Sequence, residues 1–158
     1  MPAIYLSTQI HAPIEIVFDL SRNINLHEMS MLHTNEKAIE GKCNGLIYEG
    51  ETVTWQARHL FKKRKMKVII TQMKPYSFFE DKLLEGDFRN MQHQHFFETN
   101  SNGTIMKDIF WFESPFGILG KIFNTVFLRR YMKNLLKKRN RVIKDFAESD
   151  KWKSLLPQ

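Results

Sequence analysis

Two neighbouring stretches of the chain place apolar and ionisable side chains on the same face of a predicted sheet. Read with a period of two, the residues sharing this face are Met91, His93, His95 and Phe97, followed by Met106, Asp108, Phe110 and Phe112. A core face is normally apolar and a solvent face polar. A mixed face is typical of a lined cavity, where apolar groups supply bulk and a few polar groups orient a ligand.

The expected register of these stretches brings one histidine opposite one aspartate. If Asn100–Gly103 is the turn between them, His95 lies directly across from Asp108. Side chains paired in this way have Cβ atoms about 4.5–5.5 Å apart. A hydrogen bond between His95 and Asp108 is therefore predicted.

Residues on neighbouring strands are predicted to line the same space. Asp81 shares a strand face with Phe79 and falls beside Met91 or His93. His59 enters from two strands further away. The predicted ligand-binding residues are Trp55, His59, Phe79, Asp81, Met91, His93, His95, Asp108 and Phe110.

The ionisable groups of this face allow more than one chemistry. Buried polar groups commonly satisfy one another and only specify packing. In an enzyme, His95 and Asp108 would be an acid–base pair, although the sequence reveals no nucleophile or activated water beside them. Two histidines and an aspartate also suit a metal, but two histidines spaced by one residue on a strand are a weak signal. We predict ligand binding without a metal or cofactor, and keep catalysis as the alternative.

The composition is that of a globular protein with one domain. A chain of 158 residues can bury a core. No apolar run reaches the roughly 18 residues of a membrane span, and no signal peptide is visible. The single cysteine, Cys43, excludes an internal disulfide and a cysteine-based zinc site. We expect a cytoplasmic protein without integral membrane association, with one domain at residues 1–149 and a polar tail at 150–158.

The net charge of +7 favours anionic partners. Basic residues recur from Lys121 to Lys144, a span without Asp or Glu, and their simplest interpretation is a solvated helix face. In one alternative, Arg130 or Arg139 reaches the cavity and holds an acid group of the ligand. In another, this helix and the basic residues at 62–67 contact a partner or an anionic membrane surface. A nucleic-acid partner is not expected, because a recognition helix, a zinc finger and aromatic residues on surface strands are missing.

Hydrophobic periodicity predicts the elements that position these residues. The predicted strands are Ala3–Ile10, Lys37–Glu40, Thr52–Phe61, Met66–Met73, Ser77–Leu84, Phe88–Thr99 and Thr104–Glu113. Alternation directs Phe61 inward, and Lys62–Lys65 is predicted as a hairpin turn. The predicted helices are Ile14–Leu20, about Leu26–His33, and Ile118–Ala147. This order predicts an α+β helix-grip fold, in which a curved antiparallel sheet of about seven strands wraps around a long C-terminal helix.

The sequence resembles the START-like (SRPBCC) superfamily, which includes the major birch pollen allergen, lipid-transfer START domains and polyketide cyclases. The resemblance extends over nearly the whole chain. The segments that carry it are Ile14–Leu20, Trp55–His59, Phe61, Pro75, Phe79, Gly86–Phe88, His93–His95, Phe97, Thr104–Asp108 and Ser114–Gly117. Members of one bacterial branch often have tryptophan two residues before the first histidine, where this chain has Met91.

The resemblance implies a hydrophobic cavity between the sheet and the long helix. Because the superfamily contains binding proteins, transporters, regulators and enzymes, it leaves several functions open. We predict binding of a small-to-medium apolar or lipid-like ligand, with or without an acid group. The alternatives are a cyclase, dehydratase or hydrolase that uses the His–Asp pair, and an interaction or membrane-surface protein that uses the basic helix.

Overall fold

A computed structural model describes residues 2–114, 117, 122 and 124–158 of the chain. Within these residues, seven antiparallel strands form one sheet in the order β1-β7-β6-β5-β4-β3-β2. The strands are β1 (Ala3–Ile10), β2 (Lys37–Gly41), β3 (Thr52–His59), β4 (Lys62–Lys74), β5 (Phe78–Glu85), β6 (Asn90–Asn100) and β7 (Gly103–Glu113). From β2 to β7 each strand pairs with the next along the chain, as in a meander, and β1 closes onto β7.

Two short helices follow β1, and a long helix lies near the C-terminal end of the chain. Helix α1 (Ile14–Ser21) begins after Pro13, where the missing N–H of proline costs no helical hydrogen bond. Helix α2 (Ile24–Ser30) is capped by Asn23, whose side chain accepts a hydrogen bond from the Leu26 N–H. These elements confirm the predicted α+β helix-grip fold.

The C-terminal helix, α3, spans Arg129–Ala147 and follows a π-helical turn at Asn124–Leu128. The predicted start of this helix, Ile118, lies outside the described residues. So do Pro115 and Phe116, which belong to the predicted break after the sheet. The inward face of α3 carries Leu136 and Ile143, which are buried in the core cluster together with residues of the sheet and α1. Among the described residues, no helix is long and apolar enough to cross a membrane.

The hairpin between β3 and β4 differs from its prediction. The turn is formed by Leu60 and Phe61, both with positive φ, and β4 already begins at Lys62. His59 pairs with Lys62, so a two-residue turn of the kind that matches strand twist closes the hairpin. Phe61 therefore lies at the tip with 96% of its surface exposed, and the prediction that it points inward is wrong.

The turn between β6 and β7 sets the register of the mixed face. Asn100 pairs with Gly103, so Ser101 and Asn102 form the turn. Gly103 has a φ of +120°, a region that side chains rarely adopt, and a Cβ there would overlap the Ile10 carbonyl oxygen. Glycine thus allows the end of β1 to approach this turn closely.

The polar tail ends in apolar contacts with the core. A 3-10 helix spans Asp150–Ser154, and Leu156 beyond it is buried. Trp152 and Leu155 pack against the same core. The last residues therefore cover part of the domain.

Candidate functional site

The mixed face predicted for β6 and β7 lies in the interior of the fold. His93 and His95 are buried on β6, and Asp108 is buried on β7. In the strand ladders His95 pairs with Asp108, and Asp81 pairs with His93. The predicted position of His95 opposite Asp108 is therefore confirmed, and of the two neighbours predicted for Asp81, Met91 or His93, the structure has His93.

The hydrogen bonds of these residues run diagonally to the ladder pairs. The His93 Nε2 lies 2.8 Å from the Asp108 Oδ1, and the His95 Nε2 lies 3.0 Å from the Asp81 Oδ2. The two imidazole rings cross over each other, with centroids 3.7 Å apart, so each reaches the aspartate opposite its neighbour. Diagonal neighbours in a sheet lie within reach of long side chains. The predicted hydrogen bond between His95 and Asp108 is therefore wrong: the His95 Nδ1 comes within 3.3 Å of the Asp108 Oδ1, but it faces the Arg139 guanidinium, and the hydrogen bond to Asp108 comes from His93.

Arg139 of α3 completes this group, and we name Asp81, His93, His95, Asp108 and Arg139 the buried polar cluster. The guanidinium contacts the Asp108 Oδ1 at 3.3 Å and the His95 Nδ1 at 3.4 Å. It also donates hydrogen bonds to the Ser21 carbonyl oxygen and the Asn140 Oδ1. A single side chain of α3 is thus tied to the sheet and to α1.

Electrostatics keep both aspartates ionised. Burial alone would raise the pKa of Asp108, but the hydrogen bond from His93 and the charge of Arg139 hold that pKa well below its usual range. The pKa of Asp81 is also lowered, because its hydrogen bond to His95 and the nearby positive charges outweigh burial. The side-chain amide of Asn140 also donates a hydrogen bond to the Asp108 Oδ2, at 2.7 Å.

His93 is neutral at neutral pH. Burial and the neighbouring His95 lower its pKa to about 4, although the hydrogen bond to Asp108 opposes the shift. Since its Nε2 lies against a carboxylate oxygen, that nitrogen carries the ring proton. The Nδ1 of His93 is then a hydrogen-bond acceptor.

An inner cavity of about 150 Å³ lies against this cluster, and an outer cavity of about 400 Å³ adjoins the inner one. Both are bounded by strands of the sheet and by α3. Six residues line both cavities and mark the boundary between them: Glu36, Trp55, His59, Met66, Met132 and Leu135.

Eight of the nine residues predicted to bind ligand line the inner cavity. They are Trp55, His59, Phe79, Asp81, Met91, His93, His95 and Phe110. Asp108 is the exception, because it lies behind the two imidazoles and is enclosed by Arg139 and Asn140. It positions the histidines and does not face the cavity.

His59 stands at the boundary between the cavities, away from the hydrogen bonds of the buried polar cluster. Its Nδ1 lies 2.7 Å from the hydroxyl oxygen of Tyr131 on α3. Burial lowers the pKa of His59 and raises the pKa of Tyr131, which disfavours charge on either ring. This contact joins β3 to α3 beside the outer cavity.

Two arginines were predicted as alternatives for a position at the cavity. Arg139 is buried and lines the inner cavity, whereas Arg130 is exposed. Sequence reasoning missed Asn140 and Tyr131. The helical spacing could have revealed Asn140. Residues 139 and 140 lie three or four positions from both Leu136 and Ile143, so they fall on the same face of the helix as these apolar residues. Two polar residues thus interrupt the apolar stripe of α3.

The buried polar cluster is poorly suited to binding a metal ion, because most of its possible ligand atoms already form hydrogen bonds. Asp81, His93 and His95 each offer a ligand atom within 4.8 Å of the others. Both histidine Nε2 atoms, however, already lie against carboxylates, and Arg139 donates toward the His95 Nδ1. A cation would have to displace these bonds beside a buried guanidinium.

No protein-family model matches the sequence, and no curated protein matches it. Solved structures do match. The protein TTHA0849 from Thermus thermophilus has a TM-score of 0.71 at 17% identity, over 90% of this chain and 97% of that one. The ginseng major latex-like protein 151 from Panax ginseng has a TM-score of 0.69 at 13% identity, over 94% and 98% of the chains. Ara h 8.0201 has a TM-score of 0.66 at 11% identity, over 92% and 97%. The likeness at such identities is one of fold.

Proposed function

Because the chain has the helix-grip fold of the START-like superfamily, we propose that it binds one small-to-medium apolar molecule between the sheet and α3. The observation that carries this proposal is the lining of the inner cavity. Aromatic and aliphatic walls end there at buried charged and polar groups. That combination of apolar bulk and few convergent polar groups is characteristic of small-molecule sites.

The cavity volumes indicate the size of the ligand. A volume of about 150 Å³ holds little more than a small ring, while the outer cavity of about 400 Å³ falls within the range of known ligand pockets. A molecule that spans both would place one end at the buried polar cluster. Each CH₂ group buried in the apolar walls would contribute about 0.8 kcal/mol.

Blocking the boundary between the cavities tests the proposal. Met132 lines both cavities, so Met132→Trp would fill the passage. We expect wild type to bind the uncharged fluorophore N-phenyl-1-naphthylamine, and Met132→Trp to bind it at least about ten-fold more weakly. Met29→Trp, at an exposed methionine outside both cavities, is the matched control. Equal affinity in a folded Met132→Trp protein would refute the proposal, and mass spectrometry of copurified molecules would identify a natural ligand.

The geometry supports catalysis less than binding. In the enzyme alternative a ring nitrogen of His95 would have to exchange a proton with a substrate, yet its Nε2 is bonded to Asp81 and its Nδ1 faces Arg139. With a pKa of about 4, His93 is a weak base at neutral pH. Turnover of a cyclase, dehydratase or hydrolase substrate that is lost in His95→Ala would reverse this preference.

A second candidate function is docking on an anionic lipid surface at the outer cavity. The exposed Phe61 stands at the tip of the β3–β4 hairpin, next to Lys62 and Lys63. Those lysines are exposed and form no ion pair with any residue that the structure describes. Leu60 and Lys62, the residues on either side of Phe61, line the outer cavity, so the apolar tip and the positive charge lie beside it. An apolar anchor flanked by lysines is suited to the headgroup region of an anionic bilayer.

Vesicle sedimentation tests this docking. We expect binding to phosphatidylserine vesicles at low salt, weaker binding at high salt, and loss of binding in Phe61→Ser. Tyr5→Ser, at another exposed aromatic residue, is the control. Absence of binding at low salt would exclude the lipid surface as a partner.

A further inference from the structure

The inner cavity has two polar atoms without a hydrogen-bond partner among the described residues. One is the second carboxylate oxygen of Asp81, whose Oδ2 accepts from His95. The other is the Nδ1 of His93, whose Nε2 bonds to Asp108. Both side chains line the inner cavity, and only 16% and 8% of their respective surfaces are exposed.

Both open atoms are acceptors. A carboxylate has no hydrogen to donate, and Asp81 is ionised. The His93 ring proton is committed to the Asp108 carboxylate, so Nδ1 presents a lone pair. A buried acceptor that is left without a donor costs about 1–3 kcal/mol, and more when it is charged.

The nearby cation is not available to a ligand. Arg139 donates to Asp108, His95, Ser21 and Asn140, and only 4% of its surface is exposed. An acid group at this end would face the Asp81 carboxylate in a low-dielectric cavity without a free arginine to offset it.

We propose that the ligand presents a hydrogen-bond donor, an amine or an alcohol hydroxyl, to Asp81 and His93 at the inner end of the cavity. This rests on the proposed binding function and assigns the chemistry of the end group. An amine, with more than one N–H, serves both acceptors, and a hydroxyl serves one. The acid group considered from the sequence is disfavoured at this end.

Four eight-carbon probes separate end groups while keeping the apolar body similar: octylamine, 1-octanol, heptyl methyl ether and octanoate. Their affinities are measured by displacement of N-phenyl-1-naphthylamine from the wild-type protein. The amine and the alcohol are expected to bind about ten-fold more tightly than the ether, which corresponds to one net hydrogen bond. Octanoate is expected to bind more weakly than the ether.

Asp81→Asn should reduce the preference for amine and alcohol over ether to less than about three-fold, since the amide oxygen is a weaker, uncharged acceptor. Glu98→Gln, at an exposed carboxylate that lines neither cavity, should leave the order unchanged. If ether and octanoate bind wild type as tightly as the amine and the alcohol, the donor assignment is overturned while binding stands. If no fluorophore binds and none of the four probes is taken up in direct calorimetry, the proposed binding function itself fails.

Discussion

His95 lies opposite Asp108 in the β6–β7 ladder, yet its Nε2 bonds to Asp81 on β5, 3.0 Å away. His93, which lies opposite Asp81, bonds to Asp108 in exchange. The two histidines therefore link three strands instead of two. Arg139 contacts Asp108 and His95 from the helix side and so supports this exchanged arrangement.

Removing the charge of Asp108 should strongly destabilise the fold. In Asp108→Asn the side chain keeps its shape, but the buried Arg139 loses its carboxylate partner. The free energy of unfolding is expected to fall by about 3–5 kcal/mol. Urea unfolding measures this loss.

The matched control for Asp108→Asn is Glu98→Gln, which neutralises an exposed carboxylate paired with Lys107. Exposed pairs of this kind contribute less than about 1 kcal/mol. Similar unfolding midpoints for the two variants would contradict the buried ion pair.

Lowering the pH should reduce the free energy of unfolding through His93, beginning at pH values above those at which carboxylates titrate. Its pKa is lowered from 6.5 to about 4, so between these values the unfolded chain binds a proton that the folded protein excludes. The free energy of unfolding therefore decreases as pH falls from about 6.5 to about 4, by about 3 kcal/mol in total from this group.

Urea unfolding at several pH values between 7.5 and 4.5 checks this dependence. His93→Gln should flatten the curve in that window, whereas His11→Gln, at an exposed histidine, should not. A wild-type curve with the same slope as that of His93→Gln would show that His93 is not excluded from protonation.

Tyr131→Phe should open the boundary between the cavities. The change removes the hydroxyl that lies 2.7 Å from the His59 Nδ1, and so removes a contact between β3 and α3. A net hydrogen bond contributes about 1 kcal/mol, so we expect roughly five-fold faster dissociation of a bound fluorophore in stopped-flow measurements. Tyr5→Phe, at an exposed tyrosine, should leave the rate unchanged. Identical rates for Tyr131→Phe and wild type would show that this contact does not control exchange.

Gly103→Ala should be costly because of crowding as well as backbone strain. A Cβ at this position would overlap the Ile10 carbonyl oxygen and the Ala12 nitrogen. Gly50→Ala is the control, since Gly50 also has positive φ but open space around it. We expect a loss of about 1–2 kcal/mol at Gly50 from strain alone, and at least about 1 kcal/mol more at Gly103. Thermal unfolding of both variants provides the comparison, and equal losses would exclude crowding.

The register of the site was predictable because strand geometry depends on a period of two and on one turn. Alternation together with the turn at Asn100–Gly103 places His95 opposite Asp108, and the structure agrees. The exchange of partners was not predictable, because the direction in which each imidazole leans depends on Arg139, which is distant in sequence.

The errors have equally local causes. The run of basic residues at 62–65 suggests a turn by composition, but the hairpin is set by Leu60 and Phe61, which adopt positive φ without being glycine or asparagine. Phe61 is apolar and in phase with the inward face of β3, so periodicity assigns it to the core. Only the position of the turn reveals that it projects from the tip.

Arg139 has a consequence for the synthesis of the protein in the cell. It bonds to Asp108 and His95 on the sheet and to the Ser21 carbonyl of α1, although it follows all of them along the chain. While the chain is still being made, Asp108 on the sheet lacks the Arg139 guanidinium that balances its charge in the folded protein. The domain therefore reaches its final packing only after α3 has left the ribosome.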